Sequence, residues 1–237
     1  MQTIKINKGG TKMIAHRGLS GLEAENTAAA FIAAGNRSYF GIETDVQATA
    51  DGAFVVLHDD TTGRVADANL AVAKSTLAQL RKIRLTENGA AAPHLVIPTL
   101  EEYVRICQRY DKVCVLELKS SFTEPQLMQI VRIIERTGYL PRVIFISFHL
   151  QCLLDLRKAL PKHPLQYLTK RYDEKILLTL LQHRLDLDIA WKQVDAALVR
   201  QLHAAGLKVN CWTCDDKEKA EALAAMGVDY ITTNLLE

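Results

Sequence analysis

The nineteen residues from Gly41 to Asp59, GIETDVQATADGAFVVLHD, bring Glu43, Asp45 and His58 into one short stretch. Ile42–Val46 alternates apolar and polar residues with a period of two, and Phe54–Leu57 is aromatic and β-branched, so both runs read as strands. Asp51-Gly52 between them is a hairpin signal, because a type I′ turn needs positive φ. With those two residues as the loop, Ala50 faces Ala53 and Asp45 faces His58. Glu43 and Asp45 are two apart and share a face. Neighbouring carboxylates repel unless a proton or a cation sits between them. The trio therefore reads either as a metal and acid/base site or as a solvated strand face.

The surrounding elements must decide. Met13–His16 is a short apolar run ending in His16-Arg17-Gly18. Asn26 is expected to cap a helix through Ala34, with Gly35 at its C′ position. Asp59–Ala92 differs in character, with Gly63, a polar patch, a predicted helix at Ser75–Ile83 and an Ala/Gly-rich loop at Asn88–Ala92. It is expected to form an inserted subdomain at about 59–97. Thr99 is placed to cap a helix running to about Tyr110, with Glu101 and Glu102 suiting its dipole.

From Val113 the pattern is regular. Predicted strands Val113–Leu118, Val143–Ser147, Leu165–Leu168, Leu185–Ala190, Leu207–Cys211 and Val228–Thr232 alternate with predicted helices. Such alternation implies right-handed βαβ units and a parallel sheet. With Met13–His16 and Ile42–Val46 the strands number eight, which at this length predicts a (β/α)8 TIM barrel, one domain over residues 1–237. A doubly wound sheet is the runner-up, and the lack of G-x-G-x-x-G after the first strand weighs against it.

In such a barrel, chemistry sits at the C-terminal ends of the strands. Those ends carry His16 and Arg17, Glu43 and Asp45, Glu117 and Lys119, Ser147-Phe148, Trp191 and Trp212. Glu43, Asp45 and Glu117 make an all-oxygen set suited to one divalent cation, Mg2+ or Ca2+. Arg17 and Lys119 suit a phosphate, and His16 and His58 suit acid/base work near neutral pH. Each feature has an ordinary explanation: a histidine capping backbone, a Glu-x-Lys salt bridge, tryptophans in the core. Those explanations would have to hold together at five strand ends.

Apolar residues are 49% of the 237, enough for a sizeable core, and the net charge of +2 gives no footprint for nucleic acid. Neither a signal-peptide h-region nor a membrane-length apolar run is seen, so a cytoplasmic protein without a stable membrane anchor is expected. Five cysteines are an odd number, and Cys211-Trp-Thr-Cys214 follows an apolar run instead of opening a helix, so reduced structural thiols are expected. Oligomeric state is left open.

The same residues resemble the glycerophosphodiester phosphodiesterase family. Its motifs read here as His16-Arg17-Gly18, Glu25-Asn26-Thr27, Glu43-Thr44-Asp45-Val46 with Thr49, Asp51-Gly52, Val55-Val56 and His58-Asp59. Pro98–Glu102, Glu117-Leu118-Lys119, Ser147-Phe148 and Trp212-Thr213 match further on. The resemblance implies a barrel with a small insertion after the hairpin, and metal-dependent release of sn-glycerol 3-phosphate and an alcohol from a glycerophosphodiester. It implies a divalent cation on Glu43, Asp45 and Glu117, His16 and His58 as the acid/base pair, and Arg17 and Lys119 on the phosphate. Phe148 and Trp212 would line the glycerol side, and Glu25 and Asn26 would brace the site. The alternatives are a lysophospholipase D-like or phosphoinositide-directed enzyme on the same scaffold, or a barrel that only binds a phosphorylated metabolite. The chain departs from the family pattern at two places: Ala24 stands for the usual proline, and Cys214-Asp215 places an acid expected near the pocket rim.

Overall fold

The computed structural model describes residues 2–87 and 90–237. In chain order the elements are β1 (Lys12–Ala15), α1 (Ala28–Gly35), β2 (Gly41–Ala48), β3 (Phe54–Val56), α2 (Leu77–Leu80), β4 (Thr86–Glu87), β5 (Ala90–Ala91), α3 (Leu100–Arg109), β6 (Val113–Leu118), α4 (Glu124–Arg136), β7 (Val143–Ser147), α5 (Leu150–Ala159), β8 (Leu165–Thr169), α6 (Glu174–His183), β9 (Asp186–Ala190), α7 (Ala196–Ala204), β10 (Val209–Trp212), α8 (Lys217–Met226) and β11 (Tyr230–Thr233). Strands β1, β2 and β6 to β11 are parallel neighbours in that order, and β11 pairs back to β1. The sheet closes on itself with helices outside, a (β/α)8 barrel. No helix among the described residues is long and apolar enough to cross a membrane.

Local chemistry sets the helix starts. Thr99 and Glu102 form a reciprocal capping box at α3, and Asp173, Asp195 and Asp216 accept the N3 amides of α6, α7 and α8. In α3 the buried residues Leu100, Tyr103, Val104 and Cys107 recur at i, i+3, i+4 and i+7, one stripe against the sheet. Leu127, Ile130, Val131 and Ile134 repeat the spacing in α4. Each large apolar side chain buried this way stabilises the fold by about 2 kcal/mol.

Strand alternation separates two cores. Met13, Ala15, Ile42, Val46, Leu116 and Leu118 pack outward against the helices. Ile14, Val113, Val115, Ile144, Ile146, Leu168 and Tyr230 form a cluster of their own inside the barrel. Towards the strand C-terminal ends the inward series turns polar, with Glu43, Asp45, Glu117, Asp188 and Thr232 all buried.

The β2–β3 hairpin differs from the sequence expectation by one residue. Its pairs are Val46↔Val56, Gln47↔Val55 and Ala48↔Phe54. The Thr49 amide donates to the Ala53 carbonyl at 2.9 Å, so the loop is Ala50-Asp51-Gly52, with Gly52 at φ 77°. Three-residue loops close in this way, with a left-handed residue last. Thr49 selects it: its hydroxyl donates to Asp51 Oδ1 at 2.6 Å and accepts from the Ala53 amide at 3.0 Å. The Leu57 amide, not His58, therefore meets the Asp45 carbonyl, at 2.9 Å.

Helix α1 is capped by Thr27, not Asn26; Thr27 Oγ1 accepts from the Ala30 amide at 3.1 Å. Gly35 is the last helical residue rather than C′. A Cβ there would lie 2.5 Å from Tyr110 Cγ, so the glycine permits close packing against the end of α3. Between β3 and α3, Val55, Leu57, Val72, Leu80, Ile83, Leu85, Ala92, Leu95 and Ile97 form a third cluster. The helix expected at Ser75–Ile83 is only α2, preceded by a single 3-10 turn at Val72–Lys74. Of the loop expected at Asn88–Ala92, Asn88 and Gly89 lie outside the described residues, while Ala90 and Ala91 pair with Glu87 and Thr86.

Candidate active site

The β1–α1 loop carries His16 and Arg17 over the barrel mouth in an uncommon conformation. Arg17 has φ 53° and Gly18 φ 77°. A Cβ on Gly18 would sit 2.7 Å from the Ala30 backbone, so glycine is required both by φ and by space. The left-handed Arg17 costs about 1 kcal/mol or more, and strand β2 offsets it. The Arg17 amide donates to Glu43 Oε2 at 2.8 Å and the Gly18 amide to the Glu43 carbonyl at 3.2 Å. Asn26, also left-handed at φ 54°, donates through Nδ2 to Asp45 Oδ2 at 2.9 Å and accepts from the Thr44 hydroxyl at 2.6 Å. Asn26 thus braces a carboxylate instead of capping the helix.

Glu43, Asp45 and Glu117 are buried, and one carboxylate oxygen from each lies within 4.8 Å of the others. Parallel pairing sets Asp45 directly beside Glu117. Lys119 Nζ lies 3.1 Å from Glu117 Oε1 and 3.3 Å from Asp45 Oδ1, and Arg17 Nε is 3.6 Å from Asp45 Oδ2. These neighbours sort the three acids. Burial, then Asp45 and Glu117, push the Glu43 carboxyl well above the carboxylate range. Burial, then Asp45, raises Glu117 to about 7. For Asp45 burial acts upward too, but Lys119, Arg17 and His58 outweigh it and hold the group below its ordinary value.

The two histidines have opposite surroundings. His16 Nδ1 lies 2.8 Å from Asn234 Oδ1, which also accepts from the Ser20 hydroxyl at 2.7 Å. Asn234 in turn gives its Nδ2 to Asp215, which places Oδ1 towards His16 and makes His16 Nδ1 the donor. Burial, then Arg17, lowers the His16 pKa. His58 Nδ1 instead meets the Asp59 carboxylate at 2.6 Å. Asp59 is bound by Arg64 Nε at 2.6 Å, and Arg64 also holds Glu25, which binds Arg17 Nη1 at 2.9 Å. His58 reaches the mouth because Gln47 Nε2 donates to the carbonyls of Leu57 and Asp59, at 2.7 and 2.8 Å, pulling the chain out of the ladder.

His16, Arg17, Glu43, His58, Glu117 and Lys119 line one cavity of about 370 Å³. Phe148 and Trp212 form its far wall, edge to face at 5.6 Å between centroids. Asp45, Glu25 and Asn26 stand behind the lining, bonded to it as described. Trp191 does not line the cavity; it opens a short 3-10 turn with Lys192 Nζ 5.6 Å over its ring. Nor does Asp215, the acid expected at the rim: its carboxylate is taken up by the Thr233 hydroxyl and by Asn234. Sequence reasoning missed several residues of the site, among them four charged or amide side chains. Lys170 and Asp188 line the cavity, Asn234 orients His16, and Arg64 joins Asp59 to Glu25. Asp188 had a signal in principle, as an acid within the otherwise apolar strand stretch Leu187–Ala190; Arg64 and Asn234 had none. Cys211 and Cys214 are buried free thiols whose pKa burial raises, and each Sγ faces a backbone carbonyl.

Residues 16–237 match the model of the glycerophosphoryl diester phosphodiesterase family. The chain belongs to that family. A glycerophosphodiester phosphodiesterase of Caldanaerobacter subterraneus subsp. tengcongensis is 32% identical over 231 residues, covering 94% of each chain. One from Bacillus altitudinis is 31% identical over 235 residues, again covering 94% of each. Among solved structures, an Oleispira antarctica phosphodiesterase in complex with the product sn-glycerol-3-phosphate superposes with a TM-score of 0.87 at 27% identity, covering 98% of this chain and 96% of that one. Relatives and structural neighbours of this family are phosphoric diester hydrolases, and they share the barrel seen here.

Proposed function

We propose that this chain hydrolyses glycerophosphodiesters to sn-glycerol 3-phosphate and an alcohol in a metal-dependent reaction. The observation that carries the reading is the meeting of two histidines, an arginine, a lysine and the Glu43/Asp45/Glu117 cluster at one cavity in a member of this family. Glycerol 3-phosphate bound in the Oleispira neighbour supports a small phosphorylated substrate.

Glu43, Asp45 and Glu117 would hold one divalent cation, Mg2+ or Ca2+. Three buried oxygen donors within 4.8 Å of one another suit hard cations, whose ligand distances are about 2.0–2.6 Å. When bound, the cation supplies positive charge to the phosphoryl oxygens. Arg17 and Lys119 bind the same phosphate from the β1 and β6 ends and stabilise the negative charge that grows on it. His16, neutral and protonated on Nδ1, presents Nε2 as the base that takes a proton from the nucleophile, either water or the glycerol hydroxyl. His58, its Nδ1 held by the Asp59 carboxylate, turns Nε2 to the other side of the phosphate as the acid that delivers a proton to the leaving alkoxide. Phe148 and Trp212 pack against the glycerol side. Glu25 and Asn26 hold Arg17 and Asp45 in place. The chain is read as one domain with an inserted subdomain at about 59–97.

The test is release of glycerol 3-phosphate from glycerophosphocholine and glycerophosphoethanolamine with Mg2+, with Ca2+ and with EDTA. Release that EDTA abolishes is expected. No release with either metal would sink the reading.

A further inference from the structure

Opposite the histidines, the cavity wall contains a buried polar group that the reaction outlined above does not use. Asp188 lies in the middle of β9, between Leu168 of β8 and Asn210 of β10 in register. It is 1% exposed and lines the cavity. Its Oδ1 has no hydrogen-bond partner among the described residues, and the same holds for Trp212 Nε1 on the adjoining strand. The polar side chains beneath them are satisfied without either. Asn210 Nδ2 donates to Gln166 Oε1 at 3.0 Å, and the Thr232 hydroxyl donates to Asn210 Oδ1 at 3.3 Å. A buried polar atom left unpaired costs stability, and native proteins seldom leave two on one wall without a ligand to pair them.

We infer that Asp188 and Trp212 Nε1 together form a subsite for a hydroxyl group on the glycerol portion of the substrate. The indole N–H donates to the hydroxyl oxygen, and the hydroxyl in turn donates a hydrogen bond to a carboxyl oxygen of Asp188. Ile146, Leu168 and Phe148 around them exclude water, so the pair discriminates strongly against a ligand that lacks the hydroxyl. Burial raises the Asp188 pKa well above the carboxylate range, which suits a neutral acid able both to accept and to donate. Lys170 lines the same end of the cavity and disfavours a cationic group there.

The inference rests on the proposed function, and the test separates the two. Binding of sn-glycerol 3-phosphate and of propyl phosphate, which has the same carbon chain without hydroxyls, is measured by calorimetry on the full chain with Mg2+ or Ca2+. The wild type should prefer glycerol 3-phosphate by about tenfold or more. Asp188→Val should bring that ratio close to one. It should also raise the melting temperature by roughly 2–4 °C, because it removes an unpaired buried acid; a merely structural acid would lower it. If Asp188→Val does not fold, Asp188→Ser, whose polar atom is drawn back from the cavity, must lower the ratio instead, and Trp212→Phe must do so independently. A wild type that binds neither phosphate overturns the proposed function and this subsite with it. A wild type that binds both without preference, or an Asp188 variant that keeps the preference, overturns the subsite alone.

Discussion

Loading the carboxylate cluster with a divalent cation should expel protons in a number that the structure sets. At pH 7 in the metal-free protein, Asp45 is ionised, because Lys119 and Arg17 outweigh its burial. Burial and the neighbouring Asp45 and Glu117 push the Glu43 carboxyl well above its ordinary value, towards the protonated form. Glu117, raised to about 7 by burial and Asp45, is half protonated. A cation bound by all three needs all three ionised, so binding at pH 7 releases about half a proton from Glu117 together with whatever proton Glu43 still holds, and the release grows as pH falls. Affinity must rise with pH by the same stoichiometry, by about fivefold or more between pH 6 and pH 7. Calorimetric titration with Ca2+ or Mg2+ in two buffers of different ionisation enthalpy measures the release directly. Glu117→Gln should reduce the release at pH 7. Release near zero at pH 7, or affinity flat from pH 6 to pH 8, would refute the assignment of these carboxylates to one metal.

Three further outcomes follow from other parts of the structure. Asn234→Ala removes the acceptor that fixes the His16 ring, and steady-state assays should show kcat down about tenfold with KM little changed, against about 10²–10⁴ for His16→Ala. Gly18→Ala places a methyl 2.7 Å from the Ala30 backbone at φ 77°, and denaturant melts should show a loss of about 2–3 kcal/mol. Glu237, lowered to about 2 because Lys5, Thr3 and the Ser38 amide outweigh its burial, stabilises the fold above its unfolded value near 4.5. Glu237→Gln should therefore cost about 1–2 kcal/mol at pH 7, and the gap to wild type in thermal melts should close as pH falls from about 4.5 to about 2.

The barrel could be read from the sequence because its strands and helices are set by local patterns. Thr99 with Glu102 shows a helix start, and Val113–Leu118 shows a doubly buried strand. The metal-type cluster was legible for the same reason: Glu43 and Asp45 share a face by the period of a strand. The hairpin register was not, because Asp51-Gly52 suits both two- and three-residue loops, and the choice fell to the hydroxyl of Thr49. Asn26 looks like a helix cap by residue type, yet its neighbour Thr27 takes that place and frees Asn26 for Asp45. Asp215 looks like a rim acid, but two hydrogen bonds to Asn234 and one to Thr233 turn it to the final strand. Contacts such as Arg64 to Glu25, 39 residues apart, come only from tertiary packing.

The Arg64 link bears on how the parts of such a barrel can be exchanged. Arg64 lies on the excursion that leaves the barrel after β3, yet its guanidinium joins Glu25, on the loop after β1, to Asp59 beside His58. The excursion is therefore not a self-contained cassette. Transplanting residues 59–97 from a relative carries Asp59 and Arg64 along but leaves Glu25 behind, and a mismatched partner there would release Arg17 and His58 together. In chimaeras made from this chain, positions 25, 59 and 64 form one unit of inheritance, and a crossover that separates them should lower catalysis even when both parent segments fold.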